Sequence, residues 1–330
     1  MDALSEVLRG VGLTGGVFVE AEFTAPWWVA GQMAREYCRP FMEPPEQIVC
    51  FHYVVEGDFE IHIDGGDAAR LRAGQIVMLP MNDLHYFGSA KSRTPVNTAD
   101  LMQVSPEGIA RLEYGGGGER TRLVCGFLGG NAQLRPMLSG LPRLLVLDVA
   151  TLPAGDWMRR TFAYAAQTLS AGDPGAGSVL AKMSELLFVE AIRQYLRSLP
   201  ETQTGWFAGL RDPVVGKALA LMHAEVGKPW TAEALADAVG LSRSAFADRF
   251  TALIGVPPMR YLTQWRMQVA RTRLRETRAS IAAIAFDVGY ESEAAFARAF
   301  RREVGAPPGA WRKDGAGAGP APAAPAALSQ

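Results

Sequence analysis

Two six-residue segments, Ala245-Phe246-Ala247-Asp248-Arg249-Phe250 and Ala295-Phe296-Ala297-Arg298-Ala299-Phe300, lie fifty residues apart and carry side chains suited to nucleic-acid chemistry. In each, two phenylalanines four residues apart share one face of a helix, and that face must be buried. The residues off it are left to meet a ligand. They are Arg243, Ser244, Ala247 and Asp248 in the first copy, and Glu293, Ala294, Ala297 and Arg298 in the second. An arginine so placed can hold a base edge through two parallel hydrogen bonds, the commonest specific contact in the major groove of DNA. Arg249, Arg266 and Arg301 lie off the apolar faces and suit phosphate oxygens, so they are expected to add affinity without sequence preference.

A second set consists of Cys50, His52 and His85, side chains competent to bind a soft metal. The plainer expectation is a pair of hydrogen-bonded histidines in or near a β core. Cys50 and Cys125 would form a redox sensor if exposed and acidic, and small buried apolar side chains otherwise. Cys50, His52 and His85 are the candidates for lining an effector pocket. His62 alternates with strand core positions and is expected to face solvent. The three cysteines, Cys38, Cys50 and Cys125, have no metal-type spacing and read as reduced thiols.

Short helices and tight turns must position the first set. Thr231 is an N-cap, with Trp230 placed to staple onto Leu235. Leu235 and Val239 face inward, and Gly240 supplies the positive φ of a turn. Ser242 caps the next helix. The second copy repeats this with Ile281, Ile284 and Val288 inward, Gly289 at the turn and Ser292 as the cap. Helix, glycine turn, helix is the pattern of a helix-turn-helix reader. A long helix over Met259–Leu274 joins the two units, and reading one face of DNA side by side needs about 34 Å between them.

Upstream the pattern is β. Phe51–Val55, then Phe59, Ile61 and Ile63 alternating with Glu60 and His62, then Ile76–Leu79 and Leu123–Phe127 predict short strands of a sandwich or small barrel. Trp157–Leu169 and Val179–Leu199 read as helices. The second has more apolar positions than one face needs, which suits packing on the β domain or a dimer interface. Leu199–Gly205 is breaker-rich. The boundaries follow: 1–199 a β domain with C-terminal helices, 200–211 a linker, 212–313 an all-α domain, and 314–330 a disordered tail of Gly, Ala and Pro.

Charge divides along the same line. Residues 1–200 hold 17 basic against 22 acidic side chains, and the remainder 16 against 12. Arg243–Arg278 alone has eight arginines against Asp248 and Glu276, the sign needed to meet phosphates. No segment reads as membrane-spanning or as a secretion signal, so a cytoplasmic location is expected.

Residues from about Asp212 to Lys313 resemble the double helix-turn-helix domain of the AraC family of transcription regulators. The residues that carry the resemblance are Gly240-Leu241-Ser242-Arg243-Ser244, Phe250, Gly255, Pro258, Tyr261, Arg266, Ile284, Gly289-Tyr290, Phe296, Phe300, Gly305, Pro308 and Trp311-Arg312. Trp311 stands where Tyr is commoner, and Asp248 where a basic or neutral residue is commoner. Upstream, Asp2–Leu8, Ala25-Pro26-Trp27, Phe51–Gly57 and Gly74–Pro80 with His85 resemble the cupin-type ligand domain of one branch of these regulators. Asn82 replaces the usual Gly of its second motif. The first motif's metal ligands are missing, with Cys50 where the Glu would be. The resemblance implies a non-enzymatic, cofactor-free regulator. It would bind double-stranded DNA as a homodimer, answer to an unknown small molecule or stress, and meet RNA polymerase if it activates. The alternative is a metal-dependent cupin enzyme with a helical appendage. An RNA or protein adaptor lacks the expected aromatic stacking platforms.

Overall fold

The computed structural model describes residues 4–5, 8, 13–39, 42–90, 94–104, 110–131, 134–171, 175–200 and 204–314. Most of the Asp2–Leu8 segment, linker residues 201–203 and tail residues 315–330 lie outside the described residues. The chain divides into two compact units, Val11–Pro200 and a second made chiefly of Glu201–Gln330.

The first unit is an open sandwich of two sheets rather than a closed barrel. Its seven-stranded sheet runs in the order β12 (Leu145–Asp148), β6 (Gln75–Leu79), β3 (Gln47–Glu56), β11 (Arg120–Gly130), β1 (Leu13–Thr24), β10 (Ala110–Gly115), β9 (Gln103–Val104). The five-stranded sheet runs β5 (Ala68–Arg72), β4 (Asp58–Ile63), β7 (His85–Gly88), β2 (Trp28–Gly31), β8 (Val96–Asn97). The strand expected at Phe59–Ile63 shows the alternation of a strand buried on one face, with Phe59, Ile61 and Ile63 inward. His62, expected in solvent, is half-buried with its ring edge-on to Trp28 at 5.1 Å. Strand β3 is apolar without alternation because both its faces are covered. Cys50, His52 and Val54 point between the sheets. On the other face Tyr53 stacks on Phe162 at 4.1 Å.

Phe162 belongs to α3 (Gly155–Ala171), which with α4 (Ala176–Ser198) forms a helical layer; both pack on β1 and β11. The short helices α1 (Thr98–Leu101) and α2 (Arg135–Leu138) precede them. The apolar surplus of α4 is largely used inside its own unit: Leu180, Leu187, Phe188, Ile192 and Leu199 are buried, while Val179 and Leu186 are exposed.

The second unit is all helical: α5 (Trp206–Arg211), α6 (Pro213–Ala224), α7 (Ala232–Val239), α8 (Arg243–Ile254), α9 (Pro258–Glu276), α10 (Ile281–Asp287), α11 (Glu293–Val304) and α12 (Pro308–Asp314). Two corrections to the expected boundaries follow. Residues 206–211, read as linker, are helical, and Asp314, read as tail, closes α12. The linker reading failed because Phe207 is buried and Gly205 N–H donates to the Leu253 carbonyl, tertiary contacts that breaker-rich composition does not reveal. There are two cores. The first gathers Leu219, Trp230, Leu235, Phe246, Phe250 and Leu262; the second gathers Trp265, Leu274, Ile284, Val288, Phe296 and Phe300. Helix α9 feeds its N-terminal half into one and its C-terminal half into the other. At about 1.5 Å per residue it is about 28 Å long.

Candidate DNA interface and sensor recess

Each helix-turn-helix is set by one glycine and one serine. After α7, Gly240 takes φ 77° and Leu241 N–H returns to the Ala236 carbonyl at 3.0 Å, a Schellman close. Ser242 Oγ then accepts from Ala245 N–H at 3.3 Å and starts α8. After α10, Gly289 takes φ 81°, Tyr290 N–H returns to Ala285, and Ser292 caps α11 through Ala295 N–H at 3.2 Å. Gly289 is required twice, because a Cβ there would also stand 2.5 Å from the Arg266 guanidinium. The phenylalanine pairs lock the paired helices, with ring centroids 5.7 Å apart in α8 and 5.5 Å in α11, all four side chains fully buried.

Burying those faces turns the others out. Arg243, Ser244 and Asp248 on α8 are exposed, as are Glu293, Ala294 and Arg298 on α11; Ala247 and Ala297 are half-buried at the equivalent step of each helix. Arg301 is exposed as well. Among the described residues, Arg243, Arg298 and Arg301 have no ion pair or hydrogen bond, so their donors face solvent.

The other arginines are differently engaged. Arg249 holds Asp212, with its Nε 3.0 Å from Oδ2. Asp212 also N-caps α6 by accepting from Val214 and Val215. Burial works to raise the Asp212 carboxyl, but Arg249 and the two amide N–H groups outweigh it and hold it below its usual range. Arg266 departs most from its expected place. Its Nε donates to the Val226 carbonyl at 3.0 Å and a terminal nitrogen to Lys228 at 2.6 Å, while the guanidinium lies 5.9 Å from the Tyr290 ring centroid. It is half-buried, and this desolvation lowers its pKa. Within the helical unit, Arg266 therefore clamps the 226–228 loop, which leads into the first helix-turn-helix, to the Gly289 turn of the second. Arg260 pairs with Glu303 and Arg273 with Asp287, and Arg271 and Arg275 lie over the Trp311 ring at 4.5 and 4.4 Å. Six of the eight arginines between 243 and 278 are thus engaged within the protein, and the local excess of positive charge is in large part internal scaffolding.

In the sandwich, the pairing of β11 with β3 sets Cys125 opposite His52, and the pairing of β2 with β7 sets Gly31 opposite His85. His52 and His85 belong to different sheets and meet between them, Nε2 to Nε2 at 2.9 Å. His52 Nδ1 is 2.8 Å from Cys125 Sγ, and His85 Nδ1 is 2.9 Å from the Asp83 carbonyl oxygen. Burial holds both imidazoles neutral: His52 lies well below the usual range, helped by His85, and His85 is brought down to about 4. Burial likewise pushes the Cys50 thiol up to about 12 and Cys125 higher still. Neither is a resting thiolate. Cys50 Sγ donates to Asn82 Oδ1 at 3.1 Å.

Asn82 was not among the candidate residues. It has φ 53°, the left-handed region natural to the Gly it replaces, and its amide holds Met33 by accepting from its N–H at 3.0 Å and donating to its carbonyl at 2.8 Å. The substitution for Gly was the available signal. Cys50, His52, His85 and Cys125 all line one recess. Its other walls include Val19, Phe23, Met33, Phe87, Met102 and Phe127, and among the described residues no carboxylate, lysine or arginine lines it.

Residues 2–197 match the cupin family, and residues 235–314 match a helix-turn-helix domain family. A putative AraC-like transcription regulator of Streptomyces lividans is 34% identical over 269 residues, covering 81% of this chain and 87% of that protein. The chain belongs to the AraC family of transcription regulators. The HTH-type transcriptional regulator AlkR of Acinetobacter baylyi is 25% identical over 95% of this AraC-family chain and 99% of its own. An AraC-type DNA-binding domain from Chromobacterium violaceum, solved as a crystal structure, is 29% identical, with 32% of this chain and 96% of that chain covered and a TM-score of 0.31. The two family matches and the Streptomyces relative make the protein a DNA-binding transcription regulator with a cupin-type N-terminal domain. Among the described residues, no helix is long and apolar enough to cross a membrane.

Proposed function

We propose that this AraC-family regulator reads duplex DNA through the outward faces of α8 and α11, and that an uncharged, largely apolar small molecule in the sandwich recess tunes that reading. Arg243, Ser244, Ala247 and Asp248 would face bases from α8, and Glu293, Ala294, Ala297 and Arg298 from α11. The observation that carries this is that Arg243, Arg298 and Arg301 are unpaired among the described residues, on a unit where six of the eight arginines between 243 and 278 are internally engaged. Arg301 keeps the role of phosphate contact. Arg249 can share a phosphate only at the expense of Asp212, and Arg266 is reassigned from phosphate contact to clamp.

The effector reading rests on the recess: apolar walls, a small number of convergent polar atoms and no formal charge among the described lining residues suit a neutral ligand. The homodimer remains part of the proposal. Trp157 and Tyr164 are exposed seven residues apart on α3, and Val179 and Leu186 seven apart on α4, so each helix keeps one apolar stripe uncovered. RNA polymerase would be a partner if the protein activates. A metal-dependent cupin enzyme has weaker support: the His52–His85 pair is closed by Cys125 and the Asp83 carbonyl rather than by a carboxylate ligand. Binding of the full chain to specific and random duplexes, with Arg243→Ala and Arg298→Ala as variants, tests the DNA face. Equal losses on both duplexes would reduce these side chains to phosphate contacts.

A further inference from the structure

The polar atoms of the recess form one directed hydrogen-bond chain. The Asp83 carbonyl can only accept, so His85 carries its proton on Nδ1 and its Nε2 is a bare acceptor. His52 must then donate from Nε2 to His85, which leaves His52 Nδ1 bare to accept the S–H of Cys125. The order is Cys125 Sγ–H, His52, His85, Asp83 carbonyl, and it crosses from one sheet to the other. A thiol against an imidazole base that a further group orients is the arrangement of an activated nucleophile. Here it stands in the wall of an apolar recess.

We infer that Cys125 is a covalent capture site for a small, uncharged, conjugated carbon electrophile, such as an α,β-unsaturated ketone, with His52 as its base and His85 as the positioning residue that fixes the His52 tautomer. The inference rests on reading the recess as the effector site and names the chemical class of the effector. In the step, Sγ bonds to the β-carbon of the acceptor and the carbon–carbon π pair moves onto the α-carbon. The thiol proton passes to His52 Nδ1 and from there to the α-carbon. Every atom of thiol and acceptor ends in the adduct, nothing is oxidised or reduced, and no ion is left in a recess whose described lining has no charged side chain to hold one. Both imidazoles are neutral at ordinary pH, so His52 Nδ1 stays unprotonated and open to the thiol proton. Cys50 lacks this device, since its thiol faces the Asn82 amide oxygen. Cys38, whose Sγ lies 3.8 Å from the Ala34 carbonyl, lacks it too.

The test is to treat the full-length protein with 2-cyclohexenone and follow intact mass, then map the labelled peptide. The expected result is one adduct, on Cys125, at a rate nearly flat between pH 6 and 8, because the reacting form is the neutral Cys–His pair. A thiol without a base would speed up about tenfold per pH unit over that range, in step with its thiolate fraction. Cys125→Ser should take no adduct. His52→Gln should slow labelling by about 10²-fold or more and restore the pH slope. Labelling on Cys38 or Cys50 alone, a wild-type rate that climbs tenfold per pH unit, or modification of Cys125 by hydrogen peroxide but not by the enone would overturn the inference. Location and slope are read on the wild type, so they stand even if a variant fails to fold. DNA affinity measured before and after labelling separates the two readings. A Cys125 adduct that leaves affinity unchanged keeps the capture site and removes the recess as effector site.

Discussion

At position 266 a guanidinium sits between two loop carbonyls and the ring of Tyr290, although its place on the outside of the Tyr261, Trp265 and Val269 face had suggested a phosphate contact. Helical periodicity locates the apolar stripe but says nothing of a neighbouring loop that closes over the polar side. Removing a charged donor from two backbone acceptors costs about 1.5–3 kcal/mol per bond at most. Arg266→Ala should therefore lower the urea midpoint of the protein's helical transition while leaving the salt dependence of DNA binding unchanged. A phosphate contact would instead reduce that slope by about one unit. The histidines allow a second prediction. His223, stacked on Trp265 at 3.9 Å, is held by burial down to about 3, and His85 down to about 4, against an ordinary value of 6.5. A depressed imidazole stays neutral in the native state while the unfolded chain takes up a proton. Stability from each is fully present above pH 6.5 and falls as pH drops, by about 1.4 kcal/mol per unit, until the folded value is reached. Denaturant titrations at pH 7.5 and 5.0 should show the loss, and His223→Phe should flatten it for the helical unit. The Cys125–His52–His85 chain was only partly legible. Each residue drew notice, but the pairing of β11 with β3 that sets Cys125 opposite His52 joins strands 73 residues apart at that point, which no local pattern reveals.

Among the elements, α8 and α11 were the most readable, because caps, turn glycines and Phe pairs all agree on one structure. Helix α5 was the least. Its six residues carry no periodic signal, yet Phe207 is buried and Trp206 Nε1 donates to Tyr261 Oη at 2.9 Å. A DNA-binding fragment should therefore begin near Thr204. One cut at Asp212 loses a buried phenylalanine, a change worth about 3–5 kcal/mol when made as Phe→Ala. Thermal melts of the two fragments test this, and equal midpoints would show α5 to be dispensable. For α4, pattern alone left packing and dimerisation undecided, and burial assigns Leu187, Phe188 and Ile192 to the sandwich. The remaining stripe makes a narrower prediction. Val179→Glu with Leu186→Glu should convert a dimer to a monomer by light scattering without unfolding the sandwich, and a dimer that survives both changes would place the interface elsewhere.

On the scale of the whole molecule, charge asymmetry pointed toward DNA for a reason that was only half right. The excess on 243–278 is real, but Asp212, Glu303 and Asp287 pair with three of its arginines, and two carbonyls and the Trp311 ring engage three more. What remains outward is a sparse set of arginines on two helices held by one connector. That arrangement favours reading over mere adhesion. The decisive measurement is selection of bound sites from a random duplex library by the full-length protein, followed by binding of wild type, Arg243→Ala and Arg298→Ala to the selected site. Two preferred segments about one helical turn apart are expected. Arg243→Ala should relax preference in one and Arg298→Ala in the other, each at a cost of about 1–3 kcal/mol on the selected site and little on random DNA. Selection that enriches no sequence, or two variants that weaken specific and random binding alike, would contradict the assignment of α8 and α11 as reading helices.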